Sequence, residues 1–377
     1  MAQKILYLVS EDWYFVSHRL PMARAARDAG YEVHVATRVS QCAAQIEGEG
    51  FHLHPIEWRR GSMNPFRLMS AVLEMRRLYR RLRPDLVHHV ATVSTVIGSL
   101  AALALPMQKL NAFAGLGFAF SSRAMKTPVL SNLAFVILGW LLRRPNSTVL
   151  VQNPDDGVTI ARLGVPRELI VTIPGSGVDV DVFAVLPEPT NALTAGFAGR
   201  LLDIKGVQTL VRAHELLAER GIAVRLLLAG RPDKSNPSSI PEPVLAGWRQ
   251  RPNLFLLGHV EDVRTVWAQA HVAILPSRGG EGIPLTLLEA AACGRPLIAT
   301  DVPGCREIAR HGVNALLVPP DDAGALADAI DVLMKDRDLR QRFGQASRQI
   351  AVKEYSTALI GREIVALYAR LLKRSAA

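Results

Sequence analysis

Short runs of continuous apolar residues alternate along most of the chain with segments whose apolar positions recur every three or four residues. Such runs are typical of strands buried on both faces, and such segments are typical of helices that cover a sheet. The predicted strands are 4–10, 32–37, 51–56, 85–90, 109–114, 148–153, 169–174, 193–200, 223–230, 253–258, 271–276, 296–300 and 314–319. The alternation predicts an α/β protein with doubly wound parallel sheets.

The helical segments and one polar break predict the domain organisation. The predicted helices are 18–29, 65–82, 94–104, 127–143, 154–163, 321–335, 337–351 and 355–373. The Pro-rich stretch 186–193 interrupts the alternation and predicts a linker. We therefore expect an N-terminal domain over 1–185, to which a final helix of about 355–377 returns, and a C-terminal domain over 190–354. Both are expected to be Rossmann-like and to face a central cleft, with ligands outside the carboxyl ends of the strands.

The cysteine content and the N-terminal sequence indicate the cellular compartment of the protein. The 377 residues include three cysteines, Cys42, Cys293 and Cys305, which are too few for a disulfide framework and show no metal-ligand spacing. A reducing, cytoplasmic compartment is the expectation. The apolar run near the N-terminus lacks a small-residue cleavage site after it, so it is predicted to be a first strand rather than a signal peptide.

Positive charge is concentrated in residues 51–150. This window holds 13 Lys/Arg and 3 Asp/Glu, so its surplus equals the net charge of +10 of the whole chain. The predicted helix 65–82 and the residue that follows it carry five of these arginines on or beside one face: Arg76, Arg77, Arg80, Arg81 and Arg83. This face is either simply solvated or rests on anionic lipid headgroups on the inner side of the plasma membrane. Nucleic-acid binding is not expected, because no aromatic residues alternate with the basic ones and the sequence matches no recognisable nucleic-acid-binding module.

The apolar run 127–142 is the longest in the sequence. It has about 16 residues, fewer than the roughly 20 that span a bilayer. It predicts either a buried helix or an interfacial helix with Trp140 at the level of the headgroups.

The segment 281–304 and the turn before it carry the strongest candidate chemistry. A predicted strand is followed by a glycine-rich turn, then by Glu281 and by a predicted helix that contains Glu289. Pro284 suits the first turn of such a helix, and eight helical residues would separate the two carboxylates by about 12 Å. That length suits a sugar-diphosphate-ribose unit. The backbone amides of Gly282, Ile283, Leu285 and Thr286 near the helix start offer an anion site, and Pro284 between them is counted with the donor-binding residues.

These residues resemble the E-x7-E signature of retaining glycosyltransferases of family 4, which have the GT-B fold. The segment 196–217 resembles the family's GR-(x)4-KG motif, which includes Gly199 and implies that Arg200 and Lys205 hold the donor diphosphate. The resemblance also implies that Glu281 positions the sugar and Glu289 binds the ribose. The segment 17–37 is similar to members that build surface polysaccharides and lipid-linked oligosaccharides. Their substrates are a nucleotide-sugar, here expected to be a UDP-sugar, and a lipid-linked saccharide.

Other parts of the resemblance are less direct. Many members carry two adjacent glycines after the first strand, where this chain has SEDWYFVSHR, so Ser17 and His18 are the candidates for that donor contact. His88, near the end of a predicted strand, is a candidate acceptor-side catalytic residue, with a structural role as the alternative. No Asp-x-Asp metal motif stands at the expected place, so no metal or other cofactor is predicted. The alternatives for the function are a sugar-nucleotide epimerase of the same fold and a non-catalytic glycan-binding module.

Overall fold

A computed structural model describes residues 2–58, 65–116, 128–190, 192–233 and 236–376. The chain divides into two compact units. The N-terminal unit comprises Met1–Gly177 together with Thr357–Ala377, and the C-terminal unit comprises Val178–Ser356. Among the described helices, none combines the length and the apolar character that crossing a lipid bilayer requires.

The N-terminal unit is built on a seven-stranded parallel sheet. Its strands are β1 Lys4–Glu11, β2 Glu32–Arg38, β3 His52–Pro55, β4 Leu86–Val90, β5 Gln108–Ala112, β6 Ser147–Val151 and β7 Ile170–Thr172. Their order is β3-β2-β1-β4-β5-β6-β7, so the winding direction reverses between β1 and β4. Strands β4, β5 and β6 are buried along their whole length, which explains their continuous apolar runs.

Helices cover this sheet. They are α1 Asp12–His18, α2 Leu20–Asp28, α3 Ala43–Gly48, α4 Pro65–Leu82, α5 Ala91–Ala101, α6 Pro128–Leu142 and α7 Pro154–Arg162. Helix α7 begins where Asn153 accepts a hydrogen bond from the amide of Asp156, a side-chain cap of the usual kind. The helix predicted over 18–29 is α2, and the helix α1 that precedes it was not predicted. The backbone leaves helical geometry at the buried Arg19, which separates the two helices.

The C-terminal unit repeats this architecture with six parallel strands. They are β8 Thr194–Ala198, β9 Arg225–Ala229, β10 Leu254–Gly258, β11 Val272–Leu275, β12 Leu297–Thr300 and β13 Ala315–Val318, in the order β10-β9-β8-β11-β12-β13. The helices are α8 Val207–Glu219, α9 Glu242–Arg249, α10 Arg264–Trp267, α11 Leu285–Ala292, α12 Cys305–Ile308, α13 Ala323–Lys335 and α14 Arg337–Tyr355. The prediction of two Rossmann-like parallel sheets is confirmed.

The last helix, α15 Thr357–Ala376, belongs to the N-terminal unit. It lies against α2, and a Cβ on Gly361 would come within 2.9 Å of the Cβ of Ala25. The hydroxyl of Tyr368 is 2.7 Å from the hydroxyl of Tyr7 in β1, so a buried hydrogen bond joins the end of the chain to its first strand.

The division between the units comes after Gly177, earlier than the predicted linker 186–193. The amide of Val178 donates to the carbonyl of Tyr355 at 2.8 Å. Farther along, Glu188 accepts hydrogen bonds from Arg337 and Arg340 of α14. The Pro-rich segment is therefore fixed to the C-terminal unit, which its polar composition does not reveal.

Candidate active site

The candidate residues of the C-terminal unit follow the carboxyl ends of neighbouring strands. Arg200 follows β8, Asp233 follows β9 and Glu281 follows β11. Strand β8 lies between β9 and β11, so this edge of the sheet is the point where the winding direction reverses. Open α/β sheets bind ligands at such a point, because the loops diverge there and leave a crevice.

Lys205 and Glu281 form the centre of this site. The Lys205 ammonium lies 2.6 Å from Glu281 Oε1, and the two side chains are 19% and 12% exposed. The same carboxylate oxygen accepts a hydrogen bond of 2.9 Å from the buried hydroxyl of Ser277. A largely desolvated ion pair with a second hydrogen bond to the carboxylate holds both charged groups in one geometry.

Two glycines allow the backbone to approach closely around this pair. Gly206, which follows Lys205, has φ +69°, and a Cβ there would lie 1.8 Å from the carbonyl oxygen of Pro276. Gly304, in the loop after β12, has φ +83°, and its Cβ would lie 1.9 Å from the carbonyl oxygen of Gly282. Because any larger residue would push these loops apart, glycine at both positions determines where Lys205 and Glu281 stand.

Arg200 is paired with a residue that the sequence did not indicate. Its guanidinium donates to Asp233 Oδ2 at 2.9 Å, and 40% of the arginine side chain is exposed. Gly199 precedes it, and a Cβ on Gly230 would lie 1.8 Å from the carbonyl oxygen of Gly199, so the loops after β8 and β9 are in backbone contact. Ser277 was also missed, although a serine four residues before Glu281 is visible in the sequence.

The helix that follows Glu281 begins later than predicted. Pro284 caps α11 with extended backbone, φ −68° and ψ 115°, and does not lie in its first turn. The first intrahelical bonds are donated by Leu287 and Leu288, both to the carbonyl of Pro284. The amides of Leu285 and Thr286 precede them at the helix start, whereas Gly282 and Ile283 lie ahead of the cap. The predicted separation of about 12 Å does not apply, because residues 281–284 are not helical.

Glu289 lies in the second turn of α11 and remains partly exposed. Desolvation of its carboxyl by the surrounding protein raises the pKa of Glu289 from its ordinary value of 4.5 to about 8. The carboxyl is therefore largely protonated at neutral pH in the ligand-free protein. A ligand whose hydroxyl groups donate hydrogen bonds to the carboxylate would favour its ionised form.

The change Glu289→Gln tests this environment. Since the folded-state pKa of Glu289 lies above that of the unfolded chain, this residue lowers the stability of the wild-type protein increasingly as pH rises from about 4.5 to about 8. Glutamine removes this cost, so we expect the variant to be more stable than wild type by about 1–3 kcal/mol at pH 8 and equal to it near pH 4. Urea unfolding at the two pH values measures the difference. The exposed control Glu363→Gln should show none, and an equal effect of Glu289→Gln at both pH values would contradict the assignment.

The predicted residues of the N-terminal unit have different surroundings. Ser17 is exposed in the last turn of α1, and its hydroxyl lies 2.6 Å from Nδ1 of His18, whose ring stacks on Tyr14. Their contact with the donor remains a prediction. His88 is fully buried, with Nδ1 2.7 Å from the hydroxyl of Tyr368.

Burial also determines the charge of His88. Desolvation, with help from the nearby Arg19, holds the pKa of His88 well below its usual range, so the imidazole is neutral. The ring stacks on Tyr7 inside the core. The expectation that His88 faces an acceptor does not fit this environment, which favours the structural alternative.

Comparison with known proteins decides the family. A sequence model described as "Glycosyl transferase 4-like" matches residues 4–153, and one described as "Glycosyl transferases group 1" matches residues 192–336. Together they cover more than three quarters of the chain. The chain belongs to glycosyltransferase family 4. The second match contains Arg200, Lys205, Glu281 and Glu289.

Relatives of this family 4 glycosyltransferase match over nearly its whole length. The capsular polysaccharide biosynthesis glycosyltransferase CapM of Staphylococcus aureus is 23% identical, over 99% of this chain and 98% of that protein. The N,N'-diacetylbacillosaminyl-diphospho-undecaprenol alpha-1,3-N-acetylgalactosaminyltransferase of Campylobacter jejuni is 23% identical, over 94% and 95%. The crystal structure of Anabaena HepE in complex with UDP and glucose has a TM-score of 0.79 at 18% identity, over 97% and 99%, and shows that the fold is GT-B.

Proposed function

We propose that this glycosyltransferase transfers a hexose or N-acetylhexosamine from a UDP-sugar to a lipid-linked saccharide, with retention of the anomeric configuration. The observation that carries the proposal is the largely buried Lys205–Glu281–Ser277 group at the strand ends of the C-terminal unit. Such a group offers a fixed cation for a diphosphate and a fixed carboxylate for sugar hydroxyls. Surface polysaccharide or lipopolysaccharide biosynthesis is the proposed pathway, in line with the names of the relatives.

The roles follow from the chemistry of each group. The bond from the anomeric carbon to the diphosphate breaks, and a bond to the acceptor oxygen forms on the same face of the sugar. The acceptor proton passes to the departing diphosphate. Lys205 and Arg200 stabilise the negative charge that grows on the diphosphate. Glu281 orients the sugar, and Glu289 binds the ribose, so no metal ion is required by this scheme.

Both cations are paired with carboxylates in the ligand-free site. Arg200 is bonded to Asp233 and Lys205 to Glu281. A diphosphate can compete with these carboxylates or bond the remaining N–H donors of the two cations. The pair of Arg200 is the more exposed of the two and the easier to exchange.

A donor screen by thermal unfolding tests the nucleotide specificity. A ligand that binds only the folded state stabilises it by about 2.7 kcal/mol at a hundred times its Kd. We expect UDP and UDP-sugars to raise the melting temperature more than GDP- or ADP-sugars. A larger shift with another nucleotide would contradict the choice of UDP.

The alternative functions differ in what happens to the UDP-sugar. An epimerase would convert the UDP-sugar without an acceptor, and a binding module would leave it unchanged.

We propose further that the N-terminal unit docks on anionic lipid. The first half of α4 exposes Phe66, Met69 and Leu73, and its second half exposes Arg77, Arg80 and Arg81. Apolar and cationic surface on one helix suits the boundary between acyl chains and headgroups. Arg76 does not share this role, because its guanidinium bonds the carbonyls of Ala101 and Leu103.

Helix α6 adds a second exposed apolar surface. Its exposed side chains include Val136, Ile137 and Trp140, and its buried side chains include Leu138, Leu141 and Leu142. One face of the helix therefore packs in the interior and the other faces solvent. The Arg144 guanidinium lies 3.6 Å from the centre of a Trp140 ring. Helix α5 packs against both α4 and α6. Arg59, Arg60, Arg123 and Lys126, which also contribute to the basic window, lie outside the described residues.

Vesicle flotation measures the docking. We expect binding to vesicles rich in anionic lipid, weakened at high salt because exposed charges are screened within about 10 Å at 0.1 M. Arg77→Gln, Arg80→Gln and Arg81→Gln together should release the protein, each arginine contributing about 1 kcal/mol. The matched control replaces three exposed arginines of the C-terminal unit, Arg212, Arg220 and Arg249. Equal binding to neutral and anionic vesicles would contradict lipid docking through these charges, and would leave the transferase proposal intact.

A further inference from the structure

A cluster of histidines lies at the edge of the N-terminal sheet, where His54 lines a surface cavity together with Arg77 and Arg81 of α4. Parallel pairing of β2 and β3 places His34 opposite His52 and Ala36 opposite His54. Residues two apart on a strand share one face, so Glu32 and His34 project on the same side of the sheet as His52 and His54. The backbone register itself therefore brings the four side chains together.

Three of these residues present ligand atoms to one point. Nε2 of His34 is 3.0 Å and Nε2 of His52 is 3.7 Å from Oε1 of Glu32, and the three ligand atoms all lie within 4.8 Å of one another. Two ligands bonded to a tetrahedral Zn²⁺ at about 2.0–2.1 Å stand roughly 3.3 Å apart. The observed separations bracket that value.

His54 supplies an orienting contact. Its Nε2 lies 3.1 Å from Nδ1 of His34, so His34 can donate from Nδ1 and present an unprotonated Nε2 to a metal ion. Metal-bound histidines commonly hold their other ring nitrogen in a hydrogen bond of this kind. His52 is exposed, which leaves its ring room to turn toward the ion and a coordination position open to water.

We propose that Glu32, His34 and His52 bind a divalent transition metal ion, with Zn²⁺ as the ion that best suits two imidazoles and a carboxylate. The site lies at the amino-terminal ends of β2 and β3, whereas Rossmann-like sheets bind substrates at the carboxyl ends. Its role is therefore structural. The ion would fasten the four-residue edge strand β3 to β2 and stabilise an otherwise open sheet edge.

Calorimetric titration of the chelator-treated full-length protein with Zn²⁺ tests the proposal. We expect one site of micromolar or tighter Kd in wild type, and at least tenfold weaker binding in His52→Ala and in Glu32→Gln. His54→Ala should weaken binding by about 10–100-fold through loss of the orienting hydrogen bond. The matched control, His259→Ala, removes an exposed histidine of the C-terminal unit and should bind as wild type does.

A second measurement separates loss of the site from loss of the fold. Zn²⁺ should raise the melting temperature of wild type and of His259→Ala but not that of His52→Ala, while all three melt alike without metal. Co²⁺ bound in place of Zn²⁺ should give the visible absorption bands of a tetrahedral site in wild type. The same bands should be missing in His52→Ala. Absence of Zn²⁺ binding, or equal binding by wild type, His52→Ala and Glu32→Gln, would overturn the proposal.

Discussion

Replacing Lys205 with alanine is expected to lower kcat/KM for sugar transfer by about 10²–10³-fold. The change removes the cation nearest to the proposed diphosphate, and it also leaves the largely buried carboxylate of Glu281 without its charged partner. Initial rates at varied UDP-sugar concentration give the value. Both kcat and donor affinity should fall, because a diphosphate is bound in the ground state and carries more charge in the transition state.

Lys353→Ala is the matched control for this prediction. Lys353 is exposed on α14 of the same unit, so its removal should leave kcat/KM within about twofold of wild type. The variant Lys205→Ala should also keep a cooperative thermal transition. Activity within tenfold of wild type in Lys205→Ala would show that this lysine is a structural ion-pair partner and not part of the donor site.

The change Glu281→Gln should separate turnover from binding. Glutamine keeps the size of the side chain and can still accept a hydrogen bond from Ser277, but it loses the negative charge that the proposed mechanism places beside the sugar. We expect kcat to fall by about 10²–10³-fold, equivalent to about 2.7–4 kcal/mol, with the Kd for UDP changed less than fivefold. Single-turnover kinetics and calorimetry with UDP measure the two effects.

The exposed Glu363→Gln of α15 serves as the control and should match wild type in both assays. The opposite pattern in Glu281→Gln, a large loss of UDP affinity with unchanged kcat, would assign Glu281 to the nucleotide and not to the sugar. Loss of folding is checked separately, because Ser277 and Lys205 both contact this carboxylate.

Strands were the most predictable part of this fold. The strand β4, for example, was predicted at 85–90 and is found at Leu86–Val90, because a strand covered on both faces needs a continuous apolar run. The helix that contains Glu289 was harder to place. Its start depends on the backbone angles of Pro284, and a proline is equally compatible with a first turn and with a cap.

The contacts of the site could be inferred only in part. Family resemblance named Lys205 and Glu281 separately, but their ion pair depends on the close approach of Gly206 to the carbonyl of Pro276. The partnership of Arg200 with Asp233 joins loops after different strands, for which sequence periodicity holds no information. His88 shows the same limit, since its partner Tyr368 lies 280 residues farther along the chain.

Transfer of label from a UDP-sugar to lipid is the most direct test of the central claim. The protein is incubated with UDP-sugars radiolabelled in the sugar and with a lipid extract of the source membranes, and the label is then counted in the lipid and nucleotide fractions. We expect one UDP-sugar to give labelled lipid with wild type and the control Lys353→Ala, and at most about one hundredth of that rate with Lys205→Ala. Label that stays in the nucleotide fraction with every UDP-sugar, whether epimerised or unchanged, would contradict transfer from a UDP-sugar to a lipid-linked acceptor.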